Sequence, residues 1–140
     1  MHQLAVALKY AHAAEATTQA DTLGLSSNRL TAAALPPLVE AIAAGAMPEL
    51  KVLSLTSNDG LGDEGAAVLA AALSEGRLPK LEDLDLTRTG MGDAGATALA
   101  RSLGGAPALE TLTVGENDFG EAAKEELKAA CAKGGVEILV

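Results

Sequence analysis

One spacing recurs through the chain and leaves few folds open. Leu23, Leu25 and Asn28 lead to Leu30; Leu53, Leu55 and Asn58 lead to Leu61; Leu84, Leu86 and Thr89 lead to Met91; Leu112, Val114 and Asn117 lead to Phe119. Counting on from each of those last residues, +4, +8 and +12 are always small or apolar: Ala34, Leu38, Ile42; Gly65, Leu69, Leu73; Gly95, Leu99, Leu103; Ala123, Leu127, Cys131. Alternation over a few residues predicts a strand, and the fourfold spacing after it predicts a helix. Units start near residues 20, 50, 81 and 109, with a terminal strand from 136, at periods of 30, 31, 28 and 27. A strand and helix of that size cannot bury their apolar faces alone, but stacked copies pool them into one core. The expected fold is therefore an α/β solenoid: a right-handed β-α superhelix, short and curved, with a parallel sheet inside and helices outside.

Residues 20–140 make up this repeat domain. Residues 1–19 fit it incompletely. Leu4 and Leu8 stand four apart as in a helix, and a polar, Ala-rich connection from Ala11 to Gln19 follows. The segment reads either as an N-terminal capping helix or as a partial repeat, the helical half of a unit in a longer solenoid. The last unit opens with Val136 and Leu139, a strand with no helix behind it.

Charge and composition exclude several roles. A net charge of -9, from ten basic and nineteen acidic residues, argues against nucleic acid and anionic membranes, which need clustered cations. Aromatic residues are limited to Tyr10 and Phe119, so the large anchors of tight interfaces are scarce. No uncharged apolar run approaches the roughly 18 residues that cross a bilayer, and Leu4 to Leu8 lacks the basic start of a signal peptide. Cys131, the single cysteine, falls on the core face of the last helix, which fits a reducing compartment and a cytoplasmic location.

Two polar signals lie within the repeat. Asn28, Asn58 and Asn117 share one position, where a buried amide can pair the backbone of an adjacent turn. Thr89 breaks that series, so the third turn is expected to be softer. Gly60 to Gly65 and Gly90 to Gly95 both spell GxGxxG between a strand and a helix, the dinucleotide-binding fingerprint. The same stretch degrades to Asp118–Ala123 in the next unit, as a repeat turn does, and Asp63 and Asp93 would place negative charge at the helix starts. Helix capping is the expected role, and no cofactor is expected. His2 and His12 have no metal-ligand partners at suitable spacing, and no nucleophile–base set is present, so no enzymatic activity is expected.

The stretches LKVLSLTSNDGLGDEGAAVLAAAL and LEDLDLTRTGMGDAGATALARSL resemble leucine-rich repeats of the ribonuclease-inhibitor type, and the resemblance extends over residues 20 to 140. Three departures stand out: Thr89 in place of asparagine, the added residue at Asp59-Gly60, and Pro36-Pro37 in the first helix, which require that helix to start late. The resemblance implies protein binding through the concave strand face, in the C-terminal part of a larger scaffold or sensor. It also leaves open a GTPase-activating role similar to the Ran-activating family, with Arg29 and Arg88 near the turns.

Alternation places Thr22, Gly24 and Ser26 on that face, with Val52, Ser54, Thr56, Asp83, Asp85, Thr87, Thr111, Thr113 and Gly115, and with Arg88 and Glu116 at its rim. The candidate partner-binding residues are Val52, Ser54, Thr56, Asp83, Asp85, Thr87, Arg88, Thr111, Thr113 and Glu116. Their acid suits a protein partner with a basic segment. A structural role, association through the strand edge Val136 to Val140, is the alternative.

Overall fold

The computed structural model describes residues 20–140, so the expected capping helix or partial repeat at residues 1–19 lies outside the described residues. Among the described residues five short strands alternate with four α-helices: β1 (Thr22–Gly24), α1 (Leu35–Ala43), β2 (Val52–Ser54), α2 (Gly62–Ser74), β3 (Asp83–Asp85), α3 (Asp93–Ser102), β4 (Thr111–Thr113), α4 (Glu121–Gly134) and β5 (Glu137–Leu139). The strands form one parallel sheet in chain order, with Leu23, Leu53, Leu84, Leu112 and Ile138 in one row. Strands pack about 4.8 Å apart and helices about 8–10 Å apart, so such a stack bends with the sheet on the inside. No helix among the described residues is long and apolar enough to cross a membrane.

The repeat positions form the core. Leu53, Leu84 and Leu112 of the sheet meet Leu69, Leu99 and Leu127 of the helices, all buried. Pro36 and Pro37 occupy the first turn of α1, where a proline leaves no helical hydrogen bond unmade, and a 3-10 turn at Ala32–Ala34 precedes them. Close stacking depends on the small +4 position. A Cβ added to Gly95 would lie 2.6 Å from Met91 Cγ and 2.9 Å from Ala66 Cβ, so a larger side chain would wedge α2 from α3. At the other end Gly135, at φ 72, ends α4, and the Val136 N–H reaches back to the Cys131 carbonyl at 2.8 Å. That turn sends the chain directly into β5.

Two sets of side chains tie each layer to the next. Asn58, fully buried, accepts the N–H groups of Asn28 and Leu30 on Oδ1, both at 3.0 Å. Its Nδ2 donates to the carbonyls of Leu25 at 3.0 Å and Leu55 at 2.8 Å. Asn117 repeats the pattern, accepting from Thr89 and Met91 N–H, each at 3.0 Å, and donating to Leu86 and Val114 carbonyls. Each asparagine thus serves the turn before its own. The aspartates reach the other way. Asp63 Oδ1 accepts the Gly92 N–H at 2.7 Å and the Gly95 N–H at 2.9 Å, and Asp93 Oδ1 accepts the Gly120 N–H at 2.6 Å. These carboxylates cap the helix of the following unit, where capping of their own helix was expected.

The asparagine geometry also corrects the expectation for Thr89. Because the amide acts one turn back, the third turn is fully served by Asn117 and the place without an amide is the second turn. There the added residue closes the gap: the Leu61 N–H donates to the Asn58 carbonyl at 3.1 Å, and the Gly62 N–H to the Thr89 carbonyl at 2.8 Å. The Thr89 hydroxyl donates to the Leu86 carbonyl at 3.0 Å, so this 3% exposed side chain is paired. The missing asparagine and the extra residue are one structural solution.

Urea unfolding can test both ties. Asn58→Ala leaves several buried backbone groups unpaired and is expected to cost about 3 kcal/mol. Asn28→Ala removes an exposed bond to the Ser26 carbonyl and should cost under about 0.5 kcal/mol. Equal losses would sink the ladder argument. Thr89→Asn should bring no gain, since the N–H it would receive is taken. For the aspartates, Asp63→Ala is expected to cost roughly 1–2 kcal/mol. Amide exchange should then rise at Gly92 and Gly95, one unit away; a rise confined to the start of α2 would contradict the assignment.

Candidate protein-binding face

The parallel register sorts the outward side chains of the sheet into rows. Thr22, Val52, Asp83, Thr111 and Glu137 form one, and Gly24, Ser54, Asp85, Thr113 and Leu139 the next. Beyond the strands the ladder continues, with the N–H of Ser27 bonding the Thr56 carbonyl and the N–H of Ser57 the Thr87 carbonyl, so Ser26, Thr56, Thr87 and Gly115 extend the pattern. Among the described residues, helices cover the opposite face only. The outward residues from Val52 to Thr113 are half-buried by one another, while Arg88 and Glu116 are exposed at the rim. Those two sit at one turn position with φ 56 and 53, a left-handed conformation that costs a non-glycine residue about 1 kcal/mol.

The face has two halves of different character. In the first two units hydroxyls contact one another: Ser26 Oγ lies 3.1 Å from Ser54 Oγ, which lies 3.3 Å from Thr56 Oγ1. In the third unit two aspartates alternate along a three-residue strand, although aspartate is a poor strand former. Their direct neighbours are neutral, Val52 and Thr111 beside Asp83, Ser54 and Thr113 beside Asp85, which avoids like charges side by side. Asp85 Oδ1 accepts from the Thr87 N–H at 3.0 Å and hydroxyl at 2.7 Å, fixing that carboxylate. The Asp83 carboxylate makes no hydrogen bond or ion pair among the described residues.

The ten candidate residues therefore lie on one face and its rim. Sequence reasoning omitted Glu137 and Leu139, which continue the two rows on β5. The spacing of Val136 and Leu139 places Leu139 among the core leucines, but β5 pairs Ile138 with Leu112, so Ile138 takes the core row and Leu139 turns outward. At the strand entries, Lys51 lies 3.8 Å from Glu82, a weak exposed pair.

Other chemistry finds little support in the described residues. In the Gly90–Gly95 turn the N–H groups of Gly92 and Gly95 are held by Asp63, and in the Gly60–Gly65 turn those of Gly62 and Gly65 donate to the Thr89 and Leu61 carbonyls, so N–H groups that a pyrophosphate would require are taken. No group of three or more His, Cys, Asp or Glu there is placed to hold a metal ion. Cys131 is buried, and burial pushes its thiol up, so it stays protonated and unreactive at neutral pH.

Comparison with known proteins agrees with this geometry. A family model described as a leucine-rich repeat matches residues 47–70 and 77–100. The chain is similar to Tonsoku-like protein of Danio rerio, 35% identical over 94 residues, which cover 66% of this chain and 6% of that protein. It is similar also to Tonsoku-like protein of Mus musculus, 40% identical over 91 residues, 64% of this chain and 6% of the relative. For the Bos taurus protein the match is 38% over 99 residues, 70% of this chain and 7% of the relative. The chain thus spans less than a tenth of the length of these relatives. Recurrent spacing, parallel strands backed by helices, the inter-turn asparagines and the matched segments agree that the chain folds as an α/β leucine-rich repeat solenoid.

Proposed function

We propose that this chain is a protein-interaction module that takes its partner on the concave, helix-free face of the sheet, as part of a larger cytoplasmic scaffold. The observation that carries the reading is the aspartate pair of β3. Neither Asp83 nor Asp85 is buried in the core, aspartate is a poor strand former, and the Asp83 carboxylate is unpaired among the described residues, while that of Asp85 holds only Thr87 beside it. With Glu137 on β5 and Glu116 at the rim they give the third to fifth units a negative face. A partner segment bearing lysine or arginine complements it, with Arg88, Thr87, Thr111 and Thr113 supplying hydrogen bonds around the charges. Val52, Ser54 and Thr56 would then contact a neutral stretch of the same segment. The small share of each relative that this chain covers supports a role as one module among several.

A second reading follows from Leu139 and Val140, which are 47% and 50% exposed, the large apolar side chains left open among the described residues. Together with the outer edge of β5 they suit strand-to-strand association.

The two readings separate in solution. Binding of a fluorescent lysine-rich peptide, followed by anisotropy, should weaken about tenfold or more in Asp83→Lys/Asp85→Lys, a change of roughly 1.4 kcal/mol or above. It should also weaken with added salt in the parent chain. Equal affinity in variant and parent would remove the aspartates from the interface. Sedimentation at several concentrations addresses the edge: a mass that grows with concentration and reverts in Leu139→Lys supports it, and a constant monomer rules it out.

A further inference from the structure

The side of each helix that meets the next layer changes character at α4. A Cβ on Gly95 of α3 would lie 2.9 Å from Ala66 Cβ, so Ala66, at +5 in α2, faces the following unit. Thr97 of α3 likewise reaches Glu126 of α4, with 3.3 Å between Oγ1 and Oε2. On that side, positions +5 and +9 are Leu35 and Val39 in α1, Ala66 and Ala70 in α2, and Ala96 and Ala100 in α3, all buried or packed against the core. In α4 they are Lys124 and Lys128. Both lysines are half-buried. Lys128 lies 3.7 Å from the exposed Glu125, and the Lys124 ammonium pairs with nothing among the described residues. An apolar layer laid there would leave ammonium groups without counter-charge.

The sheet beside α4 is open in the same direction. Glu137 and Leu139 bond β4, through the Glu137 N–H to the Glu110 carbonyl and the Val114 N–H to the Leu139 carbonyl, each at 2.8 Å. Alternation then turns the N–H and carbonyl of Ile138 to the outer edge. Val140 continues the row of Leu25, Leu55, Leu86 and Val114, all buried, yet it is 50% exposed. We propose that this end of the stack binds an extended acidic segment of a partner protein, added as a strand to β5, with carboxylates on the helix side against Lys124 and Lys128 and apolar residues on the concave side beside Leu139. A net charge of -9 repels such a segment from most of the surface and leaves the lysine end as its seat. A second copy fits less well, because two such edges would bring their lysines together. The inference shares the β5 edge with the self-association reading, differs from it in partner, and is independent of the concave-face reading.

A short fluorescent peptide alternating glutamate and valine, followed by anisotropy with the whole chain, should bind saturably. Lys124→Glu/Lys128→Glu and Ile138→Pro should each weaken that binding about tenfold or more. The proline removes an N–H on the outer edge, a place where strands tolerate it, and thermal melting checks that both variants stay folded. Where the proline chain melts early, a peptide N-methylated along its backbone, which lacks the edge donors, takes its place and should bind as weakly. The lysine-rich peptide should bind Lys124→Glu/Lys128→Glu no more weakly than the parent, which separates this end from the concave face. No saturable binding of the acidic peptide, or equal affinity in the lysine variant, would overturn the proposal. Loss in the lysine variant with none in a folded Ile138→Pro chain would leave charge attraction without an added strand, and overturns it too. A parent that self-associates through Leu139 and excludes the peptide would make a second copy the occupant.

Discussion

The stack depends on pairing the backbone between strand and helix. Three-residue strands supply few ladder bonds, and each turn leaves N–H and C=O groups facing the core, where an unpaired group costs about 1–3 kcal/mol. Asn58 and Asn117 satisfy those groups in the turn before them, while Asp63 and Asp93 reach the helix start after them. A layer is thereby tied to both neighbours by bonds that tolerate little displacement. The leucines supply the driving force for stacking, but apolar contact is non-directional. The amides and carboxylates fix the register, and the register decides which outward residues share a row. Without it Asp83 and Asp85 would have no defined neighbours and the sheet no defined face.

The second turn shows how far such a system can vary. Thr89 cannot replace an asparagine amide, with its two donors and an acceptor, yet the neighbouring layers remain closely packed. The extra residue at Asp59-Gly60 lets the turn satisfy its own Leu61 N–H, and Thr89 contributes its backbone carbonyl to Gly62. Two departures that look independent along the chain meet across one layer.

The core was legible in the sequence because helical spacing and strand alternation are properties of a single unit. Leu30, Leu61 and Met91 set the origin, and Leu38, Leu69 and Leu99 follow from it whatever lies alongside. The late start of α1 was legible for the same reason, since proline acts on its own turn. The misplaced features are those that act between units. Asp63 was expected to cap its own helix because periodicity along the chain carries no sign of which layer a side chain reaches. Thr89 was assigned to its own turn by the same reasoning. On the candidate face, alternation located Val52 to Thr113 correctly on the outward side, but Glu137 and Leu139 were recognisable as row members only once β5 was paired with β4.

The chemistry of the outward rows constrains the kind of interface they can form. Phe119, the one aromatic side chain among the described residues, packs against the core, so the face has no large ring to fill a pocket in a partner. Interfaces that reach high affinity usually do so through such buried anchors. A surface of hydroxyls and carboxylates contributes instead through charge and hydrogen bonds, whose gain is partly offset by the water they displace. Electrostatic attraction acts at a distance, so it speeds encounter and selects the sign of the partner more than it lengthens residence. On the proposed reading this module binds quickly, releases readily and discriminates by charge pattern. That behaviour suits one contact among several in a longer chain, where linkage raises the effective concentration of each weak site.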